Sequence, residues 1–590
     1  MTGPAMIDPA PANKPAAKSA EPLRQRLIRS LLYGSNVDRA AKARARVGLA
    51  ILAFAAVYCV LAGRLMLFAV GADSHGARRT ASQDAIATAR PDITDRNGAI
   101  LATDVKAPSL FAEPRRLIDK DEAIELLTGA LPDLDTSEVR DRLSSRKGFV
   151  WLKREITPKQ QLDIHRLGLP GVGFLRENKR VYPTGNEVAH LIGLVNIDNQ
   201  GIAGMEKWLD NNGLADLHRA GFATDRLQKP VELSIDLRVE HALRDELIKA
   251  KEKFKAKAAS GLVSNVRTGE IVAMVSLPDF DPNNPKEAHD PDRINRLTTG
   301  VYEMGSTFKA FTLAMALDSG RFDLNSMWDA RGPLHYGKFA IHDDHNMGRM
   351  INMKEVFYYS SNIGAGRIAL AMGVDAHKAF LRKMGQLERL CTGLPESASP
   401  IVPKKWGELN TVTISFGHGI AVAPLQAVMG IDALVNGGYL IPPTFLKRSE
   451  QEAMALARRV IKPETSDKMR YLMRLNAEIG TAKKADVKGY YIGGKTGTAE
   501  KVINGRYAKK RVLNAFTAIL PADNPKYQLL IMLDEPQPLK ETYGFITSGW
   551  NAVPTGGNVI ARIAPLLGVE PRFDLPPSDR LILAASRATQ

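Results

Sequence analysis

The stretch from Val47 to Val70 is apolar apart from Arg64, and it constrains the fold of this chain more than any other feature. A run of that length crosses a bilayer as one helix. The residues before it set its direction. Residues 1 to 46 hold nine Lys or Arg, the last of them Arg44 and Arg46, against only Asp8, Glu21 and Asp38. The positive-inside bias then leaves the tail in the cytoplasm and everything after about residue 71 outside. A cleaved signal peptide also starts basic and turns apolar, but this leader is much too long and the span too extended. A buried core helix fits the length and flanking charge poorly. Arg64 comes late enough to snorkel towards the far interface.

The formal charge of +16 over 590 residues suggests nucleic acid or an anionic surface at first. Much of that excess sits in the tail beside the span, so no nucleic-acid partner is expected. Length calls for two or more folded units, each able to bury a core. Cys59 and Cys391 are the only cysteines, and Cys59 lies in the span. No disulfide framework or cysteine-built zinc site follows.

Residues 1 to 22 are rich in Pro, Ala and Lys and read as disordered. Residues 23 to 46 suit a basic amphipathic helix on the inner membrane face or a plain solvated one. From 71 to 227 short helical and β-like pieces alternate with turn signals, among them Arg90 to Gly98, Arg180 to Gly193 and Gly201 to Lys207. Asn97-Gly98 marks a hairpin turn into Ala99-Ile100-Leu101. These clusters read as structural, with glycines for turns and charges for local ion pairs. Lys229-Pro230 looks like a boundary. Val231 to Ile235 alternates as a strand, and a charged helix follows from about Leu237 to Lys257. Gly261 to Val266 and Glu270 to Ser276 read as strands joined at Arg267-Thr268-Gly269, and Val512 to Leu520 and Tyr527 to Leu533 as two later ones. Strands early and late around a helical middle predict one α/β unit over 228–570, its sheet closed by distant segments. Residues 571–590 read as a tail.

Within that unit, Ser306 and Lys309 are three residues apart, which places a hydroxyl and an amine on one face of a helix. The run Ala310 to Leu317 is apolar nearly all round, as in a helix buried in a core, and Gly320 is a plausible stop. The pattern alone is weak, because Ser144 and Lys147 repeat it without an apolar helix or partner motif. Company makes the difference. Ser360-Ser361-Asn362 supplies a second hydroxyl and an amide, and Gly494 to Ala499 supplies Lys495, the hydroxyls of Thr496 and Thr498, and the bare backbone of Gly497. Attack on an amide needs a serine stripped of its proton, and Lys309 can take that proton only as a neutral amine. Burial and a nearby Lys495 both push it that way. Ser360 can pass the proton to the leaving amine, and the N–H groups of Ser306 and Thr498 can hold an oxyanion. Lys495, Thr496 and Thr498 suit a substrate carboxylate, Asn362 its amide, and Gly493, Gly494 and Gly497 a close approach of its backbone. His342-Asp343-Asp344-His345 fits no standard metal spacing and reads as a polar loop near the cleft. His418 between two glycines reads as a wall residue. No metal or cofactor is expected.

This ordered set resembles the class B penicillin-binding proteins, in particular the cell-division type of α-proteobacteria. The likeness extends from the span to about residue 570, with Asp279 to Asn283, Trp406 to Asn410, Gly417-His418-Gly419 and Pro424 to Gln426 also matching. It implies a penicillin-binding transpeptidase fold of β-lactamase-like α/β type over 228–570. Before it come a cytoplasmic tail (1–46), a transmembrane helix (47–70) and an α+β pedestal of dimerisation type (71–227). It also implies cross-linking of septal peptidoglycan through an acyl-enzyme on Ser306. Implied partners are lipid-linked precursor or nascent glycan, a SEDS-type glycosyltransferase, other divisome proteins, and β-lactams as covalent inhibitors. The implied location is the inner membrane at the septum, with the catalytic domain periplasmic. An elongation-type enzyme, a β-lactamase and a non-catalytic sensor are the alternatives. Two positions depart from the pattern. Met304 stands where many relatives have Pro, and Pro91 where many have Gly.

Overall fold

The computed structural model describes residues 39–70, 89–214, 229–337, 339–503 and 505–583. Most of the basic tail, the stretch 71–88, the approach to the expected boundary (215–228) and the last seven residues lie outside them. The chain divides into two units, 1–85 and 86–590.

In the first unit, helix α1 (Arg39–Val70) carries the apolar run. Its window Val47–Arg64 has a mean hydropathy of 2.0, and none of it is buried. Val47, Ile51, Leu52, Phe54 and Tyr58 all point outward, as a lipid-facing span requires. This suits a single-pass membrane protein.

The second unit begins with a sheet of β1 (Ile93–Thr94), β2 (Ile100–Ala112), β3 (Val150–Lys153), β4 (Val172–Val181) and β5 (Val231–Glu232). Its order is β3-β2-β1-β5, with β4 also paired to β2. The turn between β1 and β2 is the expected one: Gly98 has φ +87°, and the Asp95 carboxylate accepts the N–H groups of Asn97 and Ala99. Strand β5 follows the expected boundary at 228, yet it pairs in parallel with β1. The expected strand to Ile235 ends early, because Asp236 turns to cap the next helix by accepting the Arg238 N–H.

The charges of the three turn-rich clusters meet on the short helix α2 (Gly204–Leu209). Glu206 is fully buried and takes Arg90 Nε at 2.8 Å on one oxygen and Arg180 Nε at 2.6 Å on the other. Arg90 also reaches Asp210, and Arg180 reaches Asp104 and the Pro91 carbonyl. The first strands, β4 and α2 are thereby tied by charge beside the apolar contacts of Ile93, Leu101, Tyr182 and Met205. Glu206→Ala would leave two buried guanidiniums short of a partner, and we expect it to cost about 3–5 kcal/mol. Chemical denaturation measures this; a loss below about 1 kcal/mol would show that Asp104 and Asp210 suffice.

Helix α3 (Leu237–Lys253) leads into β6 (Ala258–Asn265) and β7 (Ile271–Leu277). Helices α4 (Lys309–Asp318), α5 (Asn362–Met372), α6 (Glu408–Ser415), α7 (Pro424–Val435) and α8 (Pro463–Ile479) fill the middle. Strands β8 (Gly493–Ile503), β9 (Arg506–Leu520) and β10 (Tyr527–Asp534) close the sheet in the order β8-β9-β10-β6-β7, every pair antiparallel. Strands β6, β7 and β10 are buried at every position, so the sheet is covered on both faces. On β10, Leu529, Ile531 and Leu533 pack with α3 and α9 (Ala552–Leu566). Leu530 and Met532 pack on the side of α4, α7 and α8. The result is helices, sheet and helices, as the early and late strands led one to expect.

Residues 571–583, which read as a tail, pack on this body. Arg572 pairs with Asp523, and α10 (Ser578–Leu583) buries Ile582. Ser578 bonds the Tyr491 hydroxyl and Glu478.

Candidate active site

Ser306 lies in a single 3₁₀ turn, Gly305–Phe308, that runs directly into α4. Met304 does not loosen this entry. Its side chain is buried, and its carbonyl accepts the Thr307 hydroxyl at 2.7 Å. Every residue from Lys309 to Leu317 is buried, so the apolar helix carries an amine into the core.

That amine sits at a junction of short contacts. Lys309 Nζ is 2.8 Å from Ser306 Oγ, 2.5 Å from the Ser360 carbonyl, 2.7 Å from Asn362 Oδ1 and 3.0 Å from Ser360 Oγ. The two carbonyl oxygens can only accept, so they take both hydrogens of a neutral amine. Its lone pair is then left for the Ser306 hydroxyl. Burial pulls the Lys309 amine down to about 7, against the opposing pull of Asp343 and Asp344. Ser360 has φ +61°, an uncommon conformation for a residue with a Cβ, and its carbonyl and its hydroxyl both reach Lys309.

Lys495 is fully buried and reaches the same hydroxyl from the other side, with Nζ 3.0 Å from Ser360 Oγ and 3.1 Å from the Thr496 carbonyl. Burial holds it well below the usual lysine range, with Lys309 adding to the effect. Buried this deeply, Lys495 touches Ser360 and offers no exposed contact of its own for a substrate carboxylate. Thr496 bonds Thr481 at 2.8 Å, and Thr498 Oγ1 accepts the Ser548 N–H at 3.1 Å. Asn362 is also engaged on both sides, since Nδ2 donates to the His342 carbonyl at 3.0 Å.

The glycines of β8 serve a purpose the sequence did not suggest. A Cβ on Gly494 would lie 2.7 Å from the Phe516 ring, and one on Gly497 would lie 2.5 Å from the Met304 carbonyl. They admit neighbouring protein, which brings the strand against the Ser306 turn. The loop from His342 has a clear task as well. Asp343 accepts the Ser361 hydroxyl at 2.6 Å and the Ile363 N–H at 2.9 Å, which holds the start of α5. Ser144 and Lys147, the second such spacing, are both exposed, and Ser144 ends a helix.

Sequence reasoning missed Asn476 and Thr481. Asn476, buried on α8, donates to the Gly494 carbonyl at 2.8 Å and accepts the Thr481 N–H and hydroxyl. It fastens β8 in place. No local signal marked it, since Thr465, Ser466 and Arg474 are buried on the same helix.

A hydroxyl, a buried amine drawn down to about 7 at its side and an edge strand beside them define a serine acyltransferase site. Residues 259–549 match the family model of the penicillin binding protein transpeptidase domain, and residues 85–212 that of the penicillin-binding protein dimerisation domain. The probable peptidoglycan D,D-transpeptidase FtsI of Caulobacter vibrioides is 41% identical over 82% of this chain and 83% of its own length. The probable peptidoglycan D,D-transpeptidase PenA of Neisseria gonorrhoeae is 31% identical over 92% and 96%, and FtsI of Escherichia coli K12 is 30% identical over 84% and 87%. A crystal structure of penicillin binding protein 3 from Mycobacterium tuberculosis, complexed with aztreonam, shares the fold with a TM-score of 0.63 at 23% identity. It covers 83% of this chain and 98% of that one. This chain belongs to the class B penicillin-binding protein transpeptidases.

Proposed function

We propose that this chain is the septal peptidoglycan D,D-transpeptidase of its cell, anchored by α1 with the tail in the cytoplasm and the catalytic domain in the periplasm. The observation that carries the reading is the buried Lys309 amine, 2.8 Å from Ser306 Oγ and held between the Ser360 carbonyl and Asn362 Oδ1. Ser306 Oγ attacks the carbonyl of the penultimate D-Ala of a stem peptide as Lys309 takes its proton. The N–H groups of Ser306 and Thr498 hold the oxyanion. Ser360, set between Lys309 and Lys495, delivers its proton to the departing D-Ala amine and takes in its place the one Lys309 removed from Ser306, which leaves Lys309 neutral again. Thr496 and Thr498 receive the terminal carboxylate, and Asn362 orients Lys309. An amine from a neighbouring stem then attacks the ester and loses a proton to Lys309, which passes it to Ser306 Oγ as the ester bond breaks. A β-lactam acylates the same oxygen, but its opened ring stays attached.

The relatives named FtsI support a place in division, with a SEDS-type glycosyltransferase and other divisome proteins as partners. Boundaries near 47, 71, 228 and 571 accompany this reading. A functional fluorescent fusion tests the division role: it should gather at midcell in constricting cells. Even labelling of the side wall would instead favour an elongation enzyme of the same class.

A further inference from the structure

Three segments that border Ser306 meet on one carboxylate that the acyl-transfer scheme does not use. Glu303 stands three residues before Ser306, on the approach to its turn. Its Oε1 accepts the Gly419 N–H at 2.9 Å and the Tyr507 hydroxyl at 3.2 Å. Gly419 belongs to the loop after α6, and Tyr507 to the start of β9, the strand paired along the whole length of β8. Its Oε2 is buried without a hydrogen-bond partner among the described residues. Burial raises the Glu303 carboxyl above its ordinary value even though both hydrogen bonds oppose that. Next to it, His418 is half-buried, desolvation draws its imidazole down to about 4, and its ring lies 5.4 Å from the Tyr507 ring.

The same three segments touch backbone to backbone around the turn. Gly305 has φ +53°, and a Cβ there would lie 2.6 Å from the Thr498 carbonyl. A Cβ on Gly417 would lie 2.1 Å from the Gly305 carbonyl. Contacts this close leave the spacing between the Ser306 turn and β8 without slack. That spacing decides whether the N–H groups of Ser306 and Thr498 converge on a single oxygen, and an error of about 1 Å in such a site costs about 10²-fold in rate.

We propose that Glu303 is a positioning residue, which holds the Ser306 turn, the 417–419 loop and the β8–β9 pair at the spacing the oxyanion site needs. Its accepting oxygen is occupied by two donors, so it serves as an anchor and takes no proton from the substrate. An anchor of this kind needs an acceptor oxygen and no charge. The proposal rests on Ser306 being the acylated residue.

Stopped-flow labelling of the full-length protein with a fluorescent penicillin separates pre-covalent binding from the acylation rate constant. Peptide mapping of the wild type first establishes Ser306 as the labelled residue; a label elsewhere would defeat the acyl-transfer reading itself and leave the Glu303 variants uninterpreted under it. With Ser306 labelled, Glu303→Ala should slow acylation about 10²-fold while pre-covalent binding changes less than about threefold. Glu303→Gln, whose amide oxygen still accepts, should stay within about fivefold of wild type. Tyr507→Phe, which removes one exposed donor, should lose about threefold, and it carries the test with Glu303→Gln if the alanine variant fails to fold. Wild-type rates in Glu303→Ala would overturn the proposal. So would a Glu303→Gln variant as slow as an alanine variant that melts like wild type, because the charge would then be what matters.

Discussion

Ser306→Ala should abolish labelling by fluorescent penicillin, a loss of at least about 10⁴-fold, while the thermal unfolding midpoint stays within a few degrees. The hydroxyl is small and only partly buried, so little packing is lost with it. What is lost is the hydroxyl oxygen 2.8 Å from the Lys309 amine, the atom that bonds with the acyl carbon in the proposed scheme. Lys309, Ser360 and Lys495 would remain in contact with one another. Gel fluorescence after incubation gives the answer directly. Undiminished labelling would move the nucleophile to another residue.

Lys309→Met should slow acylation about 10²–10⁴-fold, the range in which a positioned base works. The wild-type rate should also rise with pH. The Lys309 amine is drawn down to about 7, so it is protonated and unable to accept below that value and free above it. The acylation rate constant should therefore fall about tenfold per unit below pH 6 and level off above pH 8. Lys495, also held low by burial, shares the Ser360 hydroxyl with Lys309, so the two amines are coupled. A profile flat from pH 5 to 8 would contradict a lysine base. Methionine at 309 fills the same buried channel without an amine, which keeps the comparison about chemistry and not packing.

The parts of this site that were legible in sequence are those encoded by short spacing. Ser306 with Lys309 follows from helical geometry, and the Ser360 and Lys495 segments follow from motif. The span was legible because a bilayer sets the length of an apolar helix. Strands β6, β7, β9 and β10 were legible from alternating turns and apolar runs, though nothing local says that β8 and β7 form opposite edges of one sheet. Roles that depend on distant contacts were not legible. Glu303 meets Tyr507 across 204 positions and Gly419 across 116, and no local pattern encodes either pairing. Asn476 looks like an ordinary polar residue in an amphipathic helix until β8 is laid beside it. The glycines of β8 were read for what a substrate needs, whereas Phe516 and Met304 already occupy the space beside two of them. Asn362 was assigned to a substrate amide, and its contacts with Lys309 and the His342 carbonyl were not foreseen. In each case the residue type was right for the cleft, and its partner was chosen by the fold.

Reconstituted cross-linking tests the central claim most directly. The full-length protein is incubated with lipid-linked peptidoglycan precursor and a glycosyltransferase, and the digested product is analysed for linked stem peptides. The account requires dimeric stems, released D-Ala in matching amount, complete suppression by penicillin, and none of these in Ser306→Ala. Uncross-linked strands from an active wild-type preparation that still binds penicillin would contradict it and leave a penicillin-binding protein without transpeptidase activity.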